Sequence, residues 1–273
     1  MCWYGKPELY AADGIWCCSL GFLDLVVCDQ GSNNRSMIEK LVSVSSPYFI
    51  HQDTKIYVLY DPPHLIKNIH NNFKRTGFTI GSDSIKWEYI KQFYDVDNEG
   101  SQIPSLKMAP KLTKKHIDLP PFTVMRVKLA TQILSHTVAA GINTLVKLKK
   151  MDEAALPTAN FIAKFNSLFD VFNSSTHRSQ VPMRTALKKN SLHWSFLRDC
   201  SNWLKELKQA GTGKTLPCIE GWKLAIASMT MLWEDLSENH QVAFLLTNRC
   251  NQDCLENFFS VIRGKGKYTY FLL

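Results

Sequence analysis

Leu23-Asp24-Leu25-Val26-Val27-Cys28 runs directly into Asp29-Gln30-Gly31-Ser32-Asn33-Asn34, and the reading of this stretch decides the fold class. Its first half is short, apolar and β-branched, the composition of a buried strand. Its second half is a polar turn in which Ser32 or Asn33 would cap a helix. That helix is expected to continue to about Val44, with Met37, Ile38, Leu41 and Val42 on its inner side. Lys55-Ile56-Tyr57-Val58-Leu59-Tyr60 reads as a second strand. It too ends at an aspartate, in Asp61-Pro62-Pro63-His64, before a helix carrying Leu65, Ile66, Ile69 and Phe73. Strand, helix, strand and helix at this spacing imply parallel pairing within an α/β layer. Acidic residues at strand C-terminal ends sit where α/β sheets place their chemistry.

Beyond Lys74-Arg75-Thr76-Gly77 the texture changes, and from about Ser84 to Leu236 helical periodicity dominates. The spacing predicts helices over 85–94, 122–140, 157–173, 191–209 and 222–236, with polar, Pro- or Gly-containing loops at 96–104, 173–182 and 210–217. A final helix over 251–263 carries Leu255, Phe258, Phe259 and Ile262 at helical spacing. The expected organisation is therefore an α/β element over 1–80, a helical block over 81–245 and a returning helix within 246–273. No internal repeat or low-complexity segment interrupts it.

The chain has 273 residues, 45% hydrophobic and 21% charged, enough for a substantial core. Its formal net charge of +8 suits either a polyanionic partner or an ordinary basic protein. No stretch approaches the roughly 20 uninterrupted apolar residues of a bilayer span. The opening Met1-Cys2-Trp3-Tyr4-Gly5-Lys6-Pro7-Glu8 lacks the order of a secretory signal. Several of the eight cysteines, including Cys17, Cys18 and Cys28, sit in or beside apolar runs, so a reducing compartment is expected.

Gly211-Thr212-Gly213-Lys214-Thr215 resembles a phosphate-binding loop only superficially. That loop needs a glycine where this chain has Lys208, a strand before it and a helix after it, whereas Leu216-Pro217 follows here. A surface loop is the better reading. Cys250 and Cys254 could share a helix face, but no nearby His or Cys pair completes a zinc site, so they read as thiols. His64 and His70 read as core or capping histidines. Asp29 and Glu256 offer more. Metal-dependent phosphoryl transfer uses carboxylates from separate elements to hold two Mg²⁺ about 4 Å apart. A strand-end Asp with a late-helix Glu fits that design, and an Asp that merely caps the next helix is the plainer alternative.

Residues 28–34 (Cys-Asp-Gln-Gly-Ser-Asn-Asn), 61–68 (Asp-Pro-Pro-His-Leu-Ile-Lys-Asn) and 246–263, with Leu246-Thr247-Asn248-Arg249-Cys250 leading to Asp253 and Glu256, resemble the signature blocks of P-element-type transposases. That group includes the THAP-domain transposases and their host-domesticated relatives. Residues 108–113 and 169–174 resemble further family blocks, so the likeness covers roughly 20–265. It implies an α/β plus α fold, in which a ribonuclease-H-like core is interrupted by a large helical insertion that binds GTP. It implies that Asp29 and Glu256 belong to an Asp-Asp-Glu site for Mg²⁺. Lys111, Asp170 and Asn173 resemble nucleotide-contacting positions, and Asp253 resembles the acid that selects guanine. A carboxylate accepts from guanine N1–H and N2–H₂, donors that adenine does not offer in that pattern.

The chain also departs from the family. Only 28 residues precede Asp29, too few for the upstream strands and the first catalytic aspartate, and Asp13 and Asp24 are poor substitutes. No THAP-type zinc finger is present, and the sequence stops soon after Arg263. The resemblance therefore implies an incomplete or decayed transposase core with negligible cleavage on its own. Its ancestral chemistry is Mg²⁺-dependent DNA cleavage and strand transfer in the nucleus, with transposon ends and GTP as partners and a homo-oligomer as a possible assembly. The alternative expectation is a domesticated, non-catalytic module that binds GTP or DNA.

Overall fold

The computed structural model describes residues 24–99, 107–118 and 126–252, together with the backbone of two strands at 10–12 and 15–19. The architecture is mixed α/β, with two small sheets and many helices. Strands β1 (Tyr10–Ala12), β2 (Ile15–Ser19), β3 (Asp24–Cys28), β4 (Tyr48–His51) and β5 (Thr54–Tyr60) form one sheet in the order β1-β2-β3-β5-β4. β3 and β5 pair in parallel as the alternation of elements implied, with Cys28 opposite Tyr60. Asp29 and Asp61 thus follow neighbouring strands at the same sheet edge.

Helix α1 (Ser32–Leu41) connects these strands, but two details differ from expectation. It starts after Gly31 and carries no side-chain cap, because Asp29 Oδ1 already organises the turn. That oxygen accepts from Gly31 N at 2.8 Å and from Asn34 Nδ2 at 2.8 Å. The helix also stops before Val44, and Leu41 is 44% exposed while Ile38 is buried. After it the chain inserts the edge strand β4, which the sequence did not announce. Gln52 and Asp53, with φ of 47° and 63°, make the tight turn between β4 and β5. Two consecutive left-handed residues match the twist of paired strands, and Asn-Gly is the usual signal for them. No glycine marks this one.

Helix α2 (Pro62–Arg75) begins with prolines at its first positions and buries Leu65, Ile66, Ile69, His70 and Phe73. These are the residues the helical spacing placed inward, together with one histidine. The remaining helices are α3 (Glu88–Glu99), α4 (Lys114–Ile117), α5 (Val127–Ile133), α6 (His136–Lys147), α7 (Leu156–Phe172), α8 (His193–Glu206) and α9 (Pro217–Glu238). The segment read as one helix over 122–140 divides between α5 and α6. Ser135 there accepts from Val138 N at 3.3 Å and starts a new helix.

Three short strands appear that the sequence did not announce, of which β7 takes the first residue of the helix expected at 85–94 and β8 the end of that expected at 191–209. β6 (Phe78–Ile80), β7 (Asp83–Ile85) and β8 (Leu207–Gln209) form a second sheet in the order β7-β6-β8. β8 pairs Phe78 with Gln209, a contact between residues far apart in sequence that local propensity does not encode. Gly211 and Gly213 adopt positive φ in the exposed connection from β8 to α9, with open space around both. This connection is a surface turn, yet a strand precedes it and a helix follows it, contrary to the sequence reading. The rejection of a phosphate-binding loop therefore rests on Lys208, which stands where that loop needs a glycine. Of the helix predicted over 251–263, only Asn251 and Gln252 lie within the described residues.

Helix α7 passes through an aromatic cluster formed by Phe73, Phe78, Phe161, Phe165, Trp203 and Trp222. Helix α9 lies across the first sheet. Tyr57 Oη donates to Met231 O at 3.3 Å and also pairs with Asp235, which Lys55 approaches at 3.0 Å. Gly221 permits this docking, since a Cβ there would fall 2.4 Å from Gln30 Nε2 and 2.6 Å from Leu65 Cδ2. One continuous apolar core therefore links the sheet to the helices. Among the described residues no helix is long and apolar enough to cross a membrane.

His70 is fully buried edge-on to Trp87, and its Nε2 has no hydrogen-bond partner among the described residues. Burial pulls its pKa from 6.5 down to about 4, with Lys74 and His116 adding in the same direction against a raising hydrogen bond to Asn71. A lowered folded-state value means that the unfolded chain takes up the proton first. Stability should therefore be insensitive to this group above about pH 6.5 and fall as pH drops toward about 4. His70→Phe removes the titration, so urea midpoints measured between those two values should fall less in the variant. Parallel acid limbs would show that His70 does not carry the effect.

Candidate functional site

Two polar regions stand out. The first is the C-terminal edge of the parallel strands. Asp29 is half-buried; its Oδ1 is engaged with Gly31 and Asn34, while its Oδ2 makes no hydrogen bond among the described residues. Asp61 is almost fully buried and caps α2 through His64 N at 3.0 Å. His64 Nδ1 lies 2.6 Å from the same carboxylate, and the other oxygen of Asp61 accepts from Gln252 N at 2.8 Å. His64 thus belongs to the strand-end site rather than to a plain core position. Cys28 lies at the end of β3, and its pKa is pushed up to about 12 by burial first, then by Asp29 and Asp61. It remains a neutral thiol there.

The second region is an open cleft of about 520 Å³ among α5, α6, α7 and the segments at 109–112 and 175–184. Lys111, Asp170 and Asn173, all three singled out from sequence, line it together. Asp170 and Asn173 come from the end of α7 and the residue after it, three apart and so on one side of the helix. Lys111 arrives from the separate segment before α4. Asp97 positions that segment by accepting from Met108 N at 2.8 Å and Ala109 N at 3.1 Å. At the opposite wall α6 begins with Ser135 and His136, whose backbone N donates to Asn166 Oδ1 at 3.2 Å.

Sequence reasoning missed Ser135, His136 and Arg184 as lining residues. Ser135 carried the one usable signal, a capping hydroxyl before an apolar run, but the helix was read through it. Asp253 and Glu256 lie outside the described residues. Cys250 is buried, and among the described residues no three His, Cys, Asp or Glu side chains are placed to hold a metal ion.

A buried strip of chain joins the two regions. Thr247 Oγ1 donates to Val171 O at 2.6 Å and accepts from Ser174 N at 3.0 Å, at the end of α7. Asn248 N donates to Ser174 O at 3.1 Å. Five residues past Thr247, Gln252 reaches the strand edge, where its N donates to Asp61 and its Nε2 to Val27 O at 3.2 Å. The back of the cleft wall and the strand-end carboxylates are therefore linked through residues 247–252.

Residues 63–185 match the family described as TNP-like, GTP-binding insertion domain. The chain is 31% identical over 248 residues to the Transposable element P transposase of Drosophila melanogaster, an alignment covering 88% of this chain and 32% of that protein. Among solved structures it is similar to the Drosophila P element transposase strand transfer complex, with a TM-score of 0.81 and 31% identity. That likeness covers 89% of this chain and 55% of the solved one. The chain thus spans about a third of the length of the curated relative it matches. Lys111, Asp170 and Asn173 fall within the matched segment 63–185.

Proposed function

We propose that this chain, similar to the P element transposase and matching the TNP-like, GTP-binding insertion domain over residues 63–185, is a P-element-like transposase family member whose cleft binds GTP as part of a DNA-transposition machinery. The observation that carries this reading is the convergence of Lys111, Asp170 and Asn173, from separate stretches of sequence, on one cleft inside that segment. A volume of about 520 Å³ lies within the range of small-molecule sites. Lys111 supplies a mobile cation for phosphate, and the Asn173 amide offers both a donor and an acceptor. Asp253 is proposed as the acid that reads guanine N1–H and N2–H₂.

The strand-end acids carry the second half of the proposal. In a ribonuclease-H-like core interrupted by the helical insertion, Asp29 and Glu256 would bind Mg²⁺ for cleavage and strand transfer of a DNA phosphodiester in the nucleus. Asp29 meets one requirement, since its Oδ2 makes no hydrogen bond among the described residues. Asp61 does not complete a site, because its carboxylate is already engaged by His64 and Gln252. Asp29 is thus an available carboxylate at this edge, and Glu256, the proposed second ligand, lies outside the described residues. The formal charge of +8 and the open cleft also suit a second reading, a non-catalytic descendant that retains nucleotide or DNA binding.

Calorimetric titration of GTP into the purified chain tests the first half. GTP should bind in preference to ATP, Lys111→Ala should weaken it roughly 10-fold through loss of a charge-assisted contact, and Asp253→Asn should erase the preference for guanine. Equal affinity for GTP and ATP in the unaltered chain would remove the guanine assignment, and binding of neither would remove the nucleotide site. A magnesium-dependent nicking assay that Asp29→Asn and Glu256→Gln both abolish would select the transposase over the non-catalytic reading.

A further inference from the structure

The lining of the cleft carries two permanent cations, Lys111 and Arg184, against one carboxylate, Asp170. Arg184 ends the short 3-10 turn Pro182–Arg184. The segment around it is fastened by the bridge between Thr176 and Thr185 and by Ala186 N donating to Thr176 O at 2.9 Å. Its Nε lies 3.1 Å from Asp170 Oδ2. Within the described residues, however, the hydrogen bond that Asp170 Oδ2 accepts comes from Asn166 Nδ2, at 3.1 Å. The Arg184–Asp170 pair is ionic, and the guanidinium N–H groups are left without hydrogen-bond acceptors among the described residues.

The two partners also differ in exposure. The Arg184 side chain is 55% exposed, whereas that of Asp170 is 13% exposed. A sheltered carboxylate thus holds an arginine at the cleft while leaving its planar donor fork open. That fork matches two phosphate oxygens, a geometry a lysine ammonium cannot offer. Asp170, for its part, is a poor direct contact for a polyphosphate, since an unbalanced carboxylate at the cleft wall would repel it.

We infer that Arg184 is the phosphate-contacting arginine of the cleft and that Asp170 acts through it, as a positioning residue. This inference rests on the GTP reading above. It separates the ligand into two parts, because the contribution of Arg184 scales with phosphate charge and not with the base. Loss of Arg184 removes a bidentate partner and at the same time uncovers the negative charge of Asp170.

The test titrates GTP, GDP and guanosine into the full chain and into Arg184→Ala, Arg184→Lys and the Arg184→Ala/Asp170→Asn double variant. Arg184→Ala should weaken GTP roughly 10- to 100-fold, GDP less, and guanosine not at all. Arg184→Lys should recover part of the loss. Adding Asp170→Asn to Arg184→Ala should also recover part, because the repelling charge is gone. Thermal unfolding of Arg184→Ala should stay near that of the parent, as an ion pair whose arginine is half-exposed contributes little to stability and Asp170 keeps its hydrogen bond from Asn166. Unchanged or tighter GTP binding in Arg184→Ala overturns the inference while leaving the nucleotide site intact. An equal loss for guanosine overturns it too, by assigning Arg184 to the base or to the shape of the cleft. Failure of the unaltered chain to bind GTP removes the nucleotide reading and this inference with it.

Discussion

Asp61→Ala is expected to lower the unfolding free energy by about 2–4 kcal/mol, the sum of a lost helix cap and a buried donor left unsatisfied. The carboxylate accepts from His64 N at the start of α2 and from Gln252 N at the end of the returning strip. It also holds the imidazole of His64 at 2.6 Å. Alanine leaves the first turn of α2 uncapped and strands a buried N–H on Gln252. Asp61→Asn keeps an oxygen acceptor and should lose less than half as much. Urea unfolding of the three proteins measures the difference, and hydrogen exchange at residues 247–252 should quicken in Asp61→Ala ahead of global unfolding. A cost for alanine no greater than that for asparagine would show that the carboxylate does not join these segments.

Phe161→Ala should cost more, about 3–5 kcal/mol. Phe161 is fully buried on α7, with ring centroids 5.1 Å from Phe73, 5.2 Å from Phe78, 4.8 Å from Phe165 and 6.1 Å from Trp203. Those rings belong to α2, β6, α7 and α8, so the truncation opens a cavity where four elements meet, and rigid aromatic neighbours cannot collapse to fill it. Phe161→Leu retains most of the volume and should cost considerably less. The slope of the urea transition should stay unchanged in both, since the loss is one of packing. A cost below about 1 kcal/mol for alanine would mean that the surrounding helices can close the gap. In that case the cluster would not be the rigid hub its geometry describes.

The sequence by itself determined the parallel strand pair, because two apolar β-branched runs each ending at an aspartate before a helix leave little else to build. It determined the inward face of α2 and the existence of α7 and α9, where long periodic patterns outweigh local detail. It also marked Asp29, Lys111, Asp170 and Asn173 through their likeness to family blocks. It was silent where the deciding interaction is distant. The second sheet needs Leu207–Gln209 beside Phe78–Ile80, so the end of α8 becomes a strand for a reason no local window contains. Whether a carboxylate is available or engaged also depends on distant partners. Asp29 and Asp61 look alike in sequence, yet Gln252 arrives from the far end of the chain to hold only Asp61. Arg184 is ordinary in sequence and enters the cleft only because the segment around it folds back along α7. Local periodicity is written into consecutive residues, whereas sheet partners and the neighbours of a charge are set by which surfaces the packed core brings together.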